Sequence, residues 1–148
     1  MKKALLGLML TVNALFVGCA SVPMAPNNLD DEAKQFSTTE DKSGLYIYRN
    51  ETFGAAIKMP VSLDGKLLGQ TAAKTYFHTE VEPGDHTINS VTENTSSLRI
   101  NTRPGQNYYV WQEVKMGLFT ARSRLHLVDE AKGKEDVLAC KLIHTNQR

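Results

Sequence analysis

The stretch TYFHTEVEPGDHTINSV, residues 75–91, contains two segments rich in strand-forming residues on either side of a Pro-Gly turn. Proline presets φ for the second position of a turn, and glycine tolerates the third. We therefore predict that 75–81 and 86–91 pair as a β-hairpin. If Val81 opposes His86, alternation places these side chains on the core side: Phe77, Thr79, Val81, His86, Ile88 and Ser90. The other face, which includes Tyr76 and His78, is then the solvent side.

The segments around this stretch have the same character. Gly44 to Arg49 alternates and is rich in β-formers, so it is predicted to be the first strand. Met59, Val61 and Leu63 alternate before Asp64-Gly65, a dipeptide that favours tight turns.

One further strand pair and a final single strand are predicted towards the carboxyl terminus. Arg103-Pro104-Gly105 repeats the Pro-Gly turn between 97–101 and 107–114. The last candidate strand is 121–128, in which Leu125 and Leu127 face inward while Arg122, Arg124 and His126 face water.

Helical character is confined to the two ends of this β-rich region. LDDEAKQF, residues 29–36, has Asp30 and Asp31 at a plausible helix start and apolar residues at helical spacing. The tail DEAKGKEDVLACKLI, residues 129–143, fits either a helix or a strand; its Ala, Glu, Lys and Leu content favours a helix. The predicted fold class is therefore all-β: a small antiparallel β-sandwich of about seven strands with a short N-terminal and a C-terminal helix.

The amino terminus has the pattern of an export signal. Residues 1–18, MKKALLGLMLTVNALFVG, place two lysines before an apolar run of about a dozen residues. The run is too short to span a bilayer, which needs roughly 20 apolar residues. A proline-bearing polar segment, residues 20–28, follows.

Val17-Gly18-Cys19 resembles the lipobox of bacterial lipoproteins, in which the cysteine thiol receives a diacylglyceryl group before cleavage leaves it as the first residue. The resemblance implies a lipid attached at Cys19. With Ala20 rather than aspartate next, it also implies a place on the periplasmic face of the outer membrane of a Gram-negative cell. We therefore predict a signal peptide at 1–18, a lipidated tether at 19–28 and a single domain at 29–148.

Charge and cysteine content limit the possible functions. Removal of Lys2 and Lys3 leaves fifteen basic against sixteen acidic residues, so the mature chain lacks the positive field that nucleic-acid binding requires. If Cys19 carries lipid, Cys140 has no disulfide partner. It is then expected to be a small buried apolar residue, with a reactive thiol or an intermolecular bridge as alternatives.

Between Gly44 and Glu113 the order of turns resembles the PEGA-type surface-layer repeat, a small β-sandwich module. The similar segments are VSLDGKLLGQT (61–71), VEPGDHTI (81–88) and RPG (103–105), although Ala72 replaces the proline expected after Thr71. Nearly the whole chain is similar to a family of small bacterial lipoproteins with a domain of unknown function, the family numbered 2846. The segments that carry this similarity are the lipobox, YIYR (46–49), TYF (75–77) and VKMGLF (114–119). Membership implies a periplasm-facing β-sandwich and no established activity.

The sequence contains no recognisable catalytic motif. It lacks a Gly-x-Ser-x-Gly elbow, a His-Glu-x-x-His zinc motif and a phosphate-binding glycine loop, and its four histidines show no ligand spacing. We expect Asp64 to bond nearby backbone and His86 to lie at the rim of the core. A pocket that joins two or more of Asp64, His78, His86 and His126 would favour an enzyme.

We therefore predict a non-enzymatic binding or scaffolding module without cofactor or metal. Its partners would be the lipid bilayer, through acylated Cys19, and an envelope protein or peptidoglycan. The alternative is an envelope enzyme or a glycan-processing accessory whose catalytic motif is not recognisable.

Two surfaces are candidates for binding. Tyr109 and Trp111, with Tyr46 or Tyr48, would form an aromatic platform if exposed, or the second side of a packed sheet if buried. The segment 115–124 is apolar at its centre and basic at its flanks. It could rest on an anionic envelope surface, or Leu118 and Phe119 could cap the core.

Overall fold

A computed structural model describes residues 20–145. Within that range the elements in chain order are α1 (Asn27–Ala33), β1 (Ser43–Arg49), β2 (Met59–Leu63), β3 (Lys66–Thr71), β4 (Thr75–Val81), β5 (Gly84–Val91), β6 (Thr95–Thr102), β7 (Asn107–Met116), β8 (Ala121–Val128), α2 (Glu130–Leu138) and β9 (Lys141–Leu142).

The strands form two sheets, which confirms the predicted all-β sandwich. One sheet has the order β8-β7-β1-β4-β9 and the other has the order β3-β2-β5-β6. The first sheet is mixed rather than purely antiparallel, since β1 pairs in parallel with β7, and β4 with β9. A long chain segment that passes through the other sheet separates β1 from β7, so the two can run in the same direction. Nine strands occur in the described part instead of about seven; β9, with two residues, is too short for a periodic pattern to reveal.

The predicted hairpin around Pro83-Gly84 is wrong. β4 pairs with β1 and β9, whereas β5 pairs with β2 and β6, so the chain crosses from one sheet to the other at this turn. The turn at Pro104-Gly105 likewise joins β6 of one sheet to β7 of the other. A Pro-Gly turn fixes a change of direction, but the partner strands decide whether that change makes a hairpin or a corner. The Asp64-Gly65 turn does join paired strands, β2 and β3.

The predicted core side of β4 and β5 is nevertheless correct. An apolar inter-sheet core, mostly aliphatic, fills the space between the sheets, and it includes Leu45, Ile47, Phe77, Ile88 and Val110. The strands on either side of the corner keep the same alternation, so the side chains that a hairpin would bury are buried by the opposite sheet instead.

The outer face of the five-stranded sheet is also covered, by the two helices. Tyr46, Tyr48, Tyr76 and Tyr109 are buried there with Ala33 of α1 and with Val137 and Cys140 of the C-terminal segment; we call this cluster the tyrosine core. Gly133 lets α2 approach closely, because a Cβ there would lie 2.2 Å from the Tyr109 ring. Around β1, β4 and the first half of β7 the sheet is therefore buried on both faces, whereas the outer face of β8 is exposed.

Both predicted helices are present. α1 begins at Asn27, before the predicted start, and Ala33 packs on the tyrosine core. α2 begins after Asp129, whose side chain accepts a hydrogen bond from the Lys132 backbone N–H. The tail thus combines the two alternatives: a helix to Leu138 and then the short strand β9.

The segment predicted to be a tether packs against the domain instead. The Ala20 N–H donates to the Ala55 carbonyl at 2.9 Å, and Val22 is buried in the inter-sheet core. Met24 forms an isolated antiparallel bridge with Ile143. The prediction missed this because short apolar residues between prolines carry no periodicity. The predicted signal peptide and Cys19 lie outside the described residues, among which no helix is long and apolar enough to cross a membrane.

Candidate functional site

A cleft of about 630 Å³ lies beside the outer edge of β4. We call it the edge cleft. Leu29, Glu32 and Ala33 of α1 form one wall, and the segment 35–39 continues it. The opposite wall is Phe77 to Glu80 of β4 with Leu68 of β3. The cleft thus lies where a helix, a strand edge and the other sheet meet.

Within residues 20–145, the strand edge that lines this cleft is unpaired over most of its length. On its inner side β4 pairs with β1 from Thr75 to Val81, but on its outer side β9 pairs only with Thr75 and Tyr76. The Ile143 N–H donates to the Tyr76 carbonyl, which shows that Tyr76 directs its backbone groups outward. Because alternate residues point to the same edge, His78 and Glu80 present their N–H and C=O groups to the cleft.

His78 contributes a neutral imidazole to the cleft. Its ring stacks on Tyr46, with centroids 4.3 Å apart. Burial lowers the pKa of His78 below its ordinary value, against weaker opposing effects of Glu80 and Glu32, so the ring is uncharged at neutral pH. The Nε2 atom is buried without a hydrogen-bond partner in the described structure. The face predicted to be solvated is therefore partly covered by α1.

Asp64 and His86 contact each other and stabilise the turn between β2 and β3 against β5. The Asp64 carboxylate accepts from the Thr87 backbone N–H at 2.8 Å and lies 2.6 Å from His86 Nδ1. Burial raises the pKa of Asp64, but these two hydrogen bonds outweigh it and the net pKa is lowered. His86 Nε2 faces the Glu82 carbonyl at 2.6 Å, so neither ring nitrogen is free to take a proton from a substrate. Neither residue lines the edge cleft.

His126 lies elsewhere, at the surface of the five-stranded sheet. Its Nε2 is 2.7 Å from the Glu113 carboxylate, and its ring stacks on Trp111 at 4.9 Å. Arg122 and Arg124 are exposed as predicted, whereas Leu127, predicted to face inward, is 50% exposed. The histidine candidates thus do not converge with one another in a single pocket. Among the described residues no cluster of His, Cys, Asp or Glu could hold a metal ion.

The aromatic platform is absent, since Tyr46, Tyr48 and Tyr109 are all buried in the tyrosine core. Trp111 is partly buried, and its Nε1–H donates to Glu51 at 2.9 Å. Cys140 is a buried thiol as predicted, and burial raises its pKa to about 12, which disfavours the reactive thiolate.

The segment 115–124 turns outward. Leu118 and Phe119 are 87% and 92% exposed, so they do not cap the core. They lie in the turn between β7 and β8. The last residue pair of the two strands before this turn is Met116 with Ala121. This exposed turn remains available as a contact surface.

These features define a helix-covered β-sandwich with an open strand edge. Comparison with known proteins then gives the family: residues 39–123 match the family described as "Protein of unknown function (DUF2846)", and the chain belongs to it. The chain is also 38% identical, over 128 residues, to an "Uncharacterized protein" of Haemophilus influenzae; the match covers 85% of this chain and 76% of that protein. No solved structure matches the chain.

Sequence reasoning did not find the edge cleft. Its walls come from α1, β3 and β4, and only the fold brings them together. The sequence carries only a weak indication of this cleft. The strand-like alternation of the tail ends at Leu142, and the short strand it forms pairs with only two residues of β4.

Proposed function

We propose that the chain is a lipid-anchored lipoprotein on the periplasmic face of the bacterial outer membrane. In this proposal it acts as a binding module whose edge cleft takes up an extended peptide segment of an envelope protein. The observation that carries the proposal is the unpaired outer edge of β4 opening into the edge cleft.

Strand addition suits this geometry. An extended peptide that pairs with a free edge gains main-chain hydrogen bonds, while neighbouring pockets select its side chains. His78 and Glu80 offer the outward backbone groups, and the cleft between β4 and α1 gives room for side chains. The carboxylates of Glu32 and Glu80 favour a peptide with basic or polar residues.

The enzyme alternative has weaker support. The Asp64–His86 pair lies outside the edge cleft and uses both histidine nitrogens within the fold. His78 is neutral and borders the cleft, but among the described residues its Nε2 has no hydrogen bond to a hydroxyl or carboxylate that could act with it in catalysis. A binding role needs only the groups that the cleft already presents.

Site-specific crosslinking in cells tests the cleft. A photo-crosslinking amino acid at Glu32, which is exposed and lines the cleft, should capture an envelope protein; the same residue at the neighbouring Asp31, exposed but outside the cleft, should not. Equal capture at both positions, or none at Glu32, would contradict the proposal.

A backbone substitution tests strand addition itself. Glu80→Pro removes an outward N–H without touching the bonds to β1, whereas Glu80→Ala keeps that N–H and removes only the carboxylate. Capture at Glu32 should fall several-fold in the proline variant and persist in the alanine variant. Equal loss in both variants would point to side-chain recognition instead.

The anchor has its own test. Cells fed labelled palmitate should label the wild-type chain but not the Cys19→Ser variant. A wild-type chain that stays unlabelled and soluble would remove the lipid anchor and the location together.

A further inference from the structure

We propose that the end of the sandwich next to Ala20 faces the membrane, and that the tip loop, residues 116–120, inserts into the interface of an anionic phospholipid bilayer. This inference rests on the lipid anchor proposed above. It adds a second attachment point and therefore an orientation.

The tip loop presents apolar side chains to solvent. Met116, Leu118 and Phe119 are 78%, 87% and 92% exposed, and they are close neighbours at the end of one hairpin. Such a contiguous apolar projection on a folded domain marks an interaction surface. Leucine and phenylalanine are also residues that amphipathic membrane-binding segments bury at the headgroup boundary.

The backbone of the tip loop is hydrogen-bonded to one carboxylate, that of Glu93. Glu93 accepts hydrogen bonds from the backbone N–H groups of Leu118 at 2.7 Å and Phe119 at 2.5 Å, and also from Thr120. These bonds satisfy three backbone N–H groups of the turn, although Glu93 itself is exposed. The side chains of Leu118 and Phe119 can therefore enter the interface without leaving their own amide N–H groups unpaired.

A chain of contacts places the amino-terminal segment at this same end. Ala20 bonds to Ala55, and a Cβ on the neighbouring Gly54 would lie 3.2 Å from Val114 in β7. Ile57 packs against Val114 and Ala121, at the base of the tip loop. Cys19, the proposed lipid-bearing residue, immediately precedes Ala20 in the sequence.

The loop that receives Ala20 is itself fixed by a buried arginine. The Arg49 guanidinium donates to the carbonyls of Ile57 and Gly54, each at 2.6 Å, and to Phe53 at 3.3 Å. Phe53 is 54% exposed in this loop. The end near Ala20 thus has two loops that are held by side-chain hydrogen bonds, each with an exposed phenylalanine.

The charges around the tip loop suit anionic headgroups. Lys115, Arg122 and Arg124 line a shallow cleft of about 540 Å³ together with polar residues of β6. The acidic residues at this end are engaged within the fold, Glu93 by the loop backbone and Glu113 by His126 and Lys115. Lysines and arginines beside an apolar insertion strengthen binding to anionic lipid.

Depth of insertion distinguishes this proposal from simple anchoring, because acyl chains on Cys19 would hold the protein to a bilayer whatever its orientation. Full-length lipidated protein would be reconstituted into vesicles of equal parts phosphatidylcholine and phosphatidylglycerol with brominated acyl chains. Phe119→Trp should be quenched several-fold more than the matched control Leu127→Trp, which lies at the far end of β8. The protein without either substitution gives the fluorescence and quenching of Trp111 alone, which are subtracted from those of both variants.

Charge supplies a second readout. In vesicles of phosphatidylcholine alone, or with Arg122→Gln and Arg124→Gln together, the extra quenching at position 119 should decrease while the protein stays vesicle-bound. All four positions are exposed at the surface, so the fold should persist in these variants.

Two results would overturn the inference while leaving the anchor intact. One is vesicle-bound, palmitate-labelled protein in which position 119 is quenched no more than position 127. The other is a photo-crosslinker at position 119 that captures a protein in cells instead of lipid. Failure of the anchor itself has a different signature, namely loss of palmitate label and of vesicle flotation.

Discussion

The central strands of the five-stranded sheet, β1 and β4, are buried on both faces, but the two faces use different chemistry. Between the sheets lies the inter-sheet core, built from aliphatic side chains and Phe77. Beneath the helices lies the tyrosine core, in which hydroxyl groups reach the helices: Tyr46 donates to the Ala33 carbonyl at 2.8 Å and Tyr48 to Asp136 at 2.7 Å. The inter-sheet core is mostly apolar and contains one buried polar bridge, in which the Thr71 hydroxyl donates to the Gln112 side chain and Gln112 donates to Ser90. The tyrosine core depends throughout on hydrogen bonds, two of them to buried carboxylates.

The difference follows from what covers each face. A second sheet offers a broad apolar surface, so most of the side chains that face it are apolar and need no polar partner. Two short helices offer less area and leave backbone and carboxylate groups nearby. Tyrosine suits that environment because it has a large apolar ring and a polar tip. We therefore expect the tyrosine core to be the more sensitive to geometry and pH.

The largest effect should come from the inter-sheet core. Ile88→Ala removes a fully buried side chain and should lower the free energy of unfolding by about 2–5 kcal/mol. A urea titration followed by the fluorescence of Trp111, the single tryptophan, would measure it. Val91→Ala, at the half-exposed end of the same strand, should change stability by less than about 0.5 kcal/mol. Similar losses for both variants would show that this core is not the main source of stability.

The second largest effect should come from the close contact of α2 with the tyrosine core. Gly133→Ala places a Cβ 2.2–2.6 Å from atoms of Tyr109, so α2 must move outward, at a cost of about 1–3 kcal/mol. Helix propensity alone predicts the opposite sign, a gain of about 1 kcal/mol. Glu135→Ala, exposed on the same helix, serves as the control in the same titration. A stabilised Gly133→Ala protein would show that α2 is not tightly packed.

A smaller effect should separate two tyrosines of the same core. Tyr48→Phe removes a hydrogen bond to the Asp136 carboxylate and should cost about 1.5 kcal/mol. The Tyr109 hydroxyl is buried beside Asn107 but makes no well-formed hydrogen bond among the described residues, so Tyr109→Phe should be neutral or stabilising. Thermal unfolding of the two single variants measures both. An equal loss of stability in both variants would mean that the Tyr48 hydrogen bond to α2 contributes nothing specific to stability.

The smallest effect near neutral pH should be the pH dependence of the tyrosine core. Burial raises the pKa of Asp30 and Asp136, but hydrogen bonds outweigh it: Lys34 and Tyr76 donate to Asp30, and Lys132 and Tyr48 to Asp136. Both folded-state pKa values therefore lie below the unfolded value of about 3.9. The stability they contribute is present above that value and is lost as pH falls through the folded pKa values.

Tyr48 and Tyr76 act in the opposite range. Burial raises their pKa values, so their contribution is present below the unfolded value of about 10 and is lost as pH rises beyond it. Urea midpoints across pH would measure both limits. Asp136→Asn should flatten the acid limb, whereas Ile88→Ala should shift the whole curve without changing its shape. An unchanged acid limb in Asp136→Asn would exclude this carboxylate as its source.

The strands were more predictable than their pairing. β1, β2, β4 and β8 follow alternation in residues close together in the chain, so the sequence was sufficient to place them. The Pro83-Gly84 and Pro104-Gly105 connections were predicted as hairpins, because the local pattern is the same for a hairpin and for a corner between sheets. Pairing depends on which strand, often distant in the sequence, forms the more favourable hydrogen bonds and side-chain contacts. β4 pairs with β1 along seven residues and not with β5.

The tyrosine core and the edge cleft were beyond prediction for the same reason. α1 and α2 lie at opposite ends of the chain, yet Asp30 and Asp136 both bond to tyrosines on one sheet face. An isolated view of β1 or β7 cannot tell whether such a face meets water or a helix. The edge cleft likewise depends on β9, which ends at Leu142 and, among the described residues, leaves the rest of the outer edge of β4 open.

The sequence by itself determined the strand segments, the inward side of β4 and β5, the burial of Cys140 and the family, because these depend on local alternation and on motifs. The tertiary structure decided the sheet to which each strand belongs, the burial of the tyrosines, the docking of 20–25 onto the domain and the outward direction of the tip loop. Each of these depends on the free energy of contacts between residues far apart in the chain, which no local pattern records.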